Sequence, residues 1–140
     1  MEETRTRLGV ALWVYVIMPE HVHILLFPTA GTPMRRILAS LKRGVSDRAK
    51  DHLTRTGQRE WLERLTVRYP SRTVFRFWQP GGGHDHNIWK DRTLHEVVEY
   101  IHANPVRRGL VESPHDWPWS SAAFWAGESD FPIAMDPIDV

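Results

Sequence analysis

Cysteine is absent from the 140 residues. That excludes disulfides, a thiolate nucleophile and zinc sites built on sulfur, and it fits a reducing, cytoplasmic setting. An excess of one charge is missing too. Lys and Arg number 18 against 17 Asp and Glu, a net charge of +1, so the chain as a whole is not biased toward acidic or basic partners. No apolar run reaches the ~20 residues of a membrane span, so no membrane partner is expected. The longest, "LGVALWVYVIM" from Leu8 to Met18, has the length of a signal-peptide core and follows Arg5 and Arg7. Glu2 and Glu3 dilute that charge, however, and no small-x-small cleavage site follows. Its Val, Ile, Trp and Tyr content is that of a strand. Internal repeats and low-complexity linkers are lacking as well. One domain, residues 1–140, is expected, with the Asp- and Pro-rich residues from about 126 to 140 as a tail. What is abundant is tryptophan, seven in all, suited either to a core or to stacking surfaces.

Leu8 to Ile17 is apolar on both faces and predicts a strand covered on both sides. "MPE" is a tight connection, and His21 to Phe27 is the return strand of an antiparallel hairpin. Thr32 is placed to cap a helix with Pro33 at its first position. Met34, Ile37, Leu38, Leu41 and Val45 give that helix an apolar stripe, and Arg35, Arg36, Lys42, Arg43 and Lys50 line the other side. Such a basic face is either solvated or a phosphate contact. Asp51 to Arg76 is polar and irregular, with a helix around "REWLERL" and no motif. Three glycines after Pro80 make a loop, and "HDHNIW" after them is a candidate short strand. Asp91 to Asn104 predicts the clearest helix. Thr93 and Glu96 form a capping box, Leu94, Val97, Val98 and Ile101 the core stripe, and Pro105 the stop. His95 and His102 fall away from its Tyr100 edge, toward solvent, and Trp117 and Trp119 suit the core.

One feature needs a reason beyond folding. His21 and His23 open an otherwise apolar strand, and residues two apart share a face. Two neutral imidazoles side by side can chelate a metal, or can simply be polar residues at a strand end. Tyr100 and Asn104 lie one helical turn apart, at the edge of their helix's apolar stripe. If that helix packs on the sheet face carrying the histidines, two imidazoles, an amide oxygen and a phenol converge. His84 and His86 are a rival pair, but the glycines before them leave strand geometry less assured.

"MPEHVHILLF", "FWQPGGGHDHNI", "EYIHANPVRRGLV" and "DWPWSS" together resemble the single-tyrosine HUH transposases, and within them the REP-associated tyrosine transposases. These blocks stand in order between Met18 and Ser121. The resemblance implies an α+β fold: an antiparallel sheet with helices packed on it, like a ferredoxin or RRM domain. His21-Val22-His23 matches the family's His-hydrophobic-His signature, Tyr100 its catalytic tyrosine and Asn104 its third metal ligand. Asp85 and His86 stand where the family has a supporting motif. The implied activity is nicking and rejoining of single-stranded or hairpin DNA through a 5′-phosphotyrosine, with Mg²⁺ or Mn²⁺. Backbone phosphates would be met by Arg35, Arg36, Lys42 and Arg43 and by the turn at Arg107 and Arg108. Related enzymes are monomers or dimers, so a homodimer is allowed.

Two alternatives bear on this reading. "HVHILL" resembles the histidine-triad hydrolases, but Leu25 stands where their third histidine belongs, and that reading fails. A catalytically silent nucleic-acid-binding relic of the same fold does not fail so simply. The family usually carries a strand and a helix ahead of the Leu8–Ile17 strand, where seven residues stand here, so an N-terminally truncated version of the fold is expected. The edge of the histidine strand should then be open, paired with "HDHNIW" or used for self-association.

Overall fold

The computed structural model describes residues 2–81, 83, 86–88, 91–128 and 132–138. A short helix α1 (Glu2–Leu8) leads into β1 (Val10–Ile17) and β2 (Val22–Pro28), then a long helix α2 (Met34–Arg55). Next come α3 (Arg59–Arg64), β3 (Thr66–Tyr69) and β4 (Arg72–Phe75). Helix α4 (Asp91–Arg107), a 3₁₀ turn at Pro114–Asp116 and α5 (Ala122–Trp125) complete the order. β1 and β2 form one antiparallel pair and β3 and β4 another. The architecture is α+β, as expected.

β1 is the centre of the fold because it is apolar on both faces. Leu12, Val14, Tyr15 and Val16 have no exposed surface. Val14, Val16 and Met18 pack against Leu94, Val98 and Ile101 of α4. At the other end, Leu8 and Val10 pack with Ile37, Leu26, Met34 and Leu41. A register shift between Leu12 and Val14 lets Trp13 stack on Phe27, ring centroids 4.9 Å apart. Gly9 joins α1 to β1 at φ +60°, and a Cβ there would meet that of Ala30 at 2.5 Å, so only glycine fits.

The second edge of β1 is closed by pieces of the C-terminal segment. The Ile17 amide donates to the Trp119 carbonyl at 2.8 Å and that of Ser121 to the Tyr15 carbonyl at 3.0 Å. Farther along, the Asp136 carboxylate accepts from the Leu12 amide at 2.7 Å and pairs with the buried Arg5. β2 pairs with β1 alone among the described residues. In "HDHNIW", His86, Asn87 and Ile88 form no strand, and His84, Asp85 and Trp89 lie outside the described residues.

Several local expectations are corrected. Residues 2–8 are helical, so the first strand begins at Val10. Thr32 caps nothing; its hydroxyl donates to the Leu8 carbonyl at 2.8 Å and ties α2 to α1. On the α2 stripe Ile37 is buried but Val45 is 40% exposed. Helix α4 starts at Asp91, so Thr93 lies inside it rather than capping it. The same helix runs through Pro105 to Arg107. His102 is buried, not solvent-facing, and Trp119 is 53% exposed, while Trp117 packs partly on the core. The β3–β4 hairpin arises in the stretch read as irregular. "TVRY" and "RTVF" around Pro70-Ser71 are two β-branched runs around a turn, the signal that could have found it.

Candidate active site

His21 ends the β1–β2 turn and His23 lies one residue into β2. Their Nε2 atoms are 3.1 Å apart. Adjacent ligand atoms of an octahedral ion with ~2.1 Å bonds stand ~3.0 Å apart, so the pair is spaced for one cation. Without an ion the same spacing is a hydrogen bond between neutral rings. Among the described residues no group of three or more His, Asp or Glu side chains is placed to hold a metal. A divalent ion here would therefore need an amide oxygen, phosphate or water besides the imidazoles.

The amide is at hand. Asn104 is 8% exposed, and Pro105 explains its pose. A proline lacks the N–H that would normally reach the carbonyl four residues back, here Ile101. The Asn104 Nδ2 donates instead, at 3.3 Å to the Ile101 carbonyl and 2.7 Å to that of Tyr100. This repair lets α4 pass Pro105. It turns the amide nitrogen into the helix and leaves the oxygen for the site. The Asn104 side chain lies close enough to His23 to favour its charged form. The His23 pKa nevertheless lies below the usual histidine range, mainly through burial and secondarily through the charge of His21. Both effects favour the neutral imidazole that a metal requires.

Tyr100 completes the group. Its ring meets that of His23 edge to face at 5.7 Å, and the residue is 47% exposed. The Arg107 guanidinium sits 5.2 Å over the Tyr100 ring and puts a permanent positive charge beside the phenol. Arg108 pairs at 2.6 Å with Glu20, whose same oxygen is 3.4 Å from His21 Nδ1. Glu20 was not singled out in the sequence, although it adjoins His21. It links the end of α4 to the histidine turn and faces the His21 Nδ1 side of the ring. Arg107 and Arg108 thus lie beside this group of side chains. Arg35, Arg36 and Arg43 are exposed on α2, and the Lys42 ammonium donates to the Gly81 carbonyl at 3.0 Å. Those four ride on a helix docked against the Leu8–Val10 cluster rather than the cluster under α4.

Behind the site, His102 faces the opposite way from Tyr100. Its Nε2 is 2.8 Å from the Ser121 hydroxyl. That hydroxyl also accepts from the Tyr15 amide at 2.9 Å and donates to the Tyr15 carbonyl at 3.2 Å. One side chain thereby clasps β1, α4 and the C-terminal segment. Burial, with help from the charge of His115, lowers the His102 pKa to about 4, so the ring is neutral near neutral pH.

Similarity to known proteins bears on this arrangement. A Haemophilus influenzae protein named "Putative REP-associated tyrosine transposase" is 35% identical over 71 residues, 44% of this chain and 37% of that protein's length. A solved REP-associated tyrosine transposase bound to a REP hairpin superposes with a TM-score of 0.56 at 21% identity, over 99% of this chain and 72% of that one. In sequence and in fold the chain resembles the REP-associated tyrosine transposases. The sequence match spans little more than a third of the curated relative, and the structural likeness bears on fold alone. No family model matches the chain. Among the described residues no helix is long and apolar enough to cross a membrane.

Proposed function

We propose that the chain nicks and rejoins single-stranded DNA, with Tyr100 as nucleophile. The observation that carries this reading is the convergence of Tyr100, His21, His23 and Asn104 from two elements onto one site. The Tyr100 oxygen would attack the phosphorus of a phosphodiester, forming a 5′-phosphotyrosine and expelling the 3′ oxygen as a hydroxyl. Attack by a 3′-OH on that linkage would reverse the step, join strands and release the tyrosine, so no energy source is needed. His21, His23 and Asn104 would hold a divalent ion, Mn²⁺ more readily than Mg²⁺ because imidazole nitrogen suits it better. When bound, such an ion supplies Lewis-acid polarisation of the non-bridging oxygens. Arg107 lies where its charge would offset that of the attacking phenol and the phosphate.

The substrate class follows from the chemistry and from the relative solved with a REP hairpin. Hairpin DNA with a single-stranded flank, incubated with Mn²⁺, is expected to give a protein–DNA adduct that survives denaturing electrophoresis. Binding without any adduct would make the chain a silent DNA-binding relic of the fold. The exposed cations of α2 are proposed as phosphate contacts. Changing Arg35, Arg36, Lys42 and Arg43 together to Ala should lower the slope of log affinity against log salt by about 0.7 per contact. An unchanged slope would return that face to solvent.

A further inference from the structure

We infer that the β3–β4 hairpin is a second binding surface, for single-stranded nucleic acid, separate from the Tyr100 site. The stretch 59–76 carries five arginines, Arg59, Arg64, Arg68, Arg72 and Arg76, against only Glu60 and Glu63, in a chain whose total net charge is +1. The stretch is thus net basic, as α2 is, while the rest of the chain is net acidic. The arrangement of this charge is as telling as its amount. Tyr69 and Arg72 are cross-strand partners and so share a face of the hairpin. Arg76 is two further alternations along the same face. Both guanidiniums approach the Tyr69 ring, at 5.5 and 5.6 Å, and Arg76 also donates to the Tyr69 hydroxyl. On α3, Arg64 lies 5.5 Å over Trp61 in the same way.

An arginine seated on an aromatic ring has its long side chain already ordered, and its five N–H donors leave some for a phosphate even where one is given to Tyr69, as in Arg76, or faces Glu60, as in Arg64. It therefore loses less entropy on meeting a phosphate than a free one does. The aromatics contribute as well. Trp61 of α3 is 51% exposed, Phe77 just beyond β4 40% and Tyr69 of β3 36%. Charge that tracks a backbone, interleaved with rings on which bases stack, suits an unpaired strand. A duplex hides its bases and would use the charge alone.

Binding of an oligo-dT strand of about 20 nucleotides, which forms no hairpin, can be followed by fluorescence anisotropy across a salt series. The double variant Arg72→Gln with Arg76→Gln should lower the salt slope by about 1.4, two single-strand contacts at ~0.7 each. Tyr69→Leu, which keeps every charge, should weaken binding roughly fivefold or more through the lost seat and stack. Arg68→Gln alters the other face of the hairpin and should weaken binding less than either Arg72→Gln or Arg76→Gln alone. Unchanged affinity and slope in the double variant would overturn the proposal. So would an equal loss from Arg68→Gln, which would mean a diffuse field, and so would equal losses on a duplex of the same length. None of these readouts needs the Tyr100 reaction. Wild-type protein that binds through the hairpin but forms no adduct would leave this surface standing and remove the proposed chemistry. Adduct formation with hairpin variants that bind normally would do the reverse.

Discussion

Two parts of the molecule are built by different rules. Around β1, apolar residues are packed from both sides, and backbone edges are closed by β2 and by Trp119, Ser121 and Asp136. The arm formed by the far end of α2, by α3 and by β3–β4 has almost no core. Among the described residues between 30 and 90, Ile37 is the one buried hydrophobic side chain, and α3 buries none. The arm is fixed instead by polar ties, such as the Arg76 amide to the Leu65 carbonyl at 2.6 Å and the Trp78 indole to the Lys42 carbonyl at 2.9 Å. The contrast suits the two roles proposed for these parts. A site that holds two imidazoles, an amide and a phenol in one geometry needs a packed support. A surface that follows a polyanion needs charge and can tolerate movement.

The sharpest way to break the comparison is to change the chemistry without changing the packing. Tyr100→Phe removes one hydroxyl from a residue that is 47% exposed. Adduct formation should fall to background, while DNA affinity and melting temperature stay as in the wild type. An adduct that persists would show another nucleophile, with Tyr15 and Tyr69 the remaining tyrosines. Tyr15 is fully buried and Tyr69 is engaged by Arg76, so Tyr69 would be the one to test next.

A change of packing should separate the two parts just as clearly. Leu12→Ala empties a fully buried position of β1 and should cost about 2–5 kcal/mol of unfolding free energy. Val45→Ala on α2, at a position 40% exposed, should stay within about 0.5 kcal/mol. Comparable losses in denaturant titrations would mean that the arm carries a core of its own.

The same division explains how much the sequence disclosed. The hairpin at His21 and His23 and the helix with Tyr100 and Asn104 were legible because burial enforces strict periodicity, and the site residues are spaced by it. What was illegible depended on partners far away in the chain. His102 reads as solvent-facing by helical angle alone, and only the return of Ser121 buries it. The passage of α4 through Pro105 could not be read from the proline, since it depends on which way the Asn104 amide turns. The arm was overlooked for the opposite reason. Its arginines and rings follow no apolar period, and their meaning appears only when Tyr69 and Arg72 become cross-strand neighbours.

The clasp at His102 makes the packed half sensitive to acid. Its pKa of about 4 lies below the ordinary 6.5, so an unfolded chain takes up a proton there before the folded one does. The stability it contributes is complete above about pH 6.5 and is lost as pH falls toward 4. The total is on the order of 3 kcal/mol. His102→Gln can still bond Ser121 but cannot titrate. In unfolding titrations the difference between wild type and variant should therefore change across that window and be flat above it. A constant difference from pH 7 to pH 4 would mean that the ring is already charged or exposed in the folded protein.

The smallest effect is expected where the two halves of the candidate site touch. Glu20 and Arg108 form a close pair, 2.6 Å apart, but both side chains are about half exposed. Water screens such a pair, and exposed ion pairs are worth about 0.2–1 kcal/mol. Glu20→Gln and Arg108→Gln, alone and together, should give a coupling free energy in that range, fading with salt. Affinity for Mn²⁺ should respond differently. Glu20 also faces His21 Nδ1, so Glu20→Gln should weaken the metal while Arg108→Gln leaves it near the wild-type value. Equal losses of Mn²⁺ affinity in the two variants would show that Glu20 acts on the site through the ion pair rather than through the imidazole. A coupling well above 1 kcal/mol would show that the ion pair, and not the packing of α4 on β1, holds the tyrosine against the histidines.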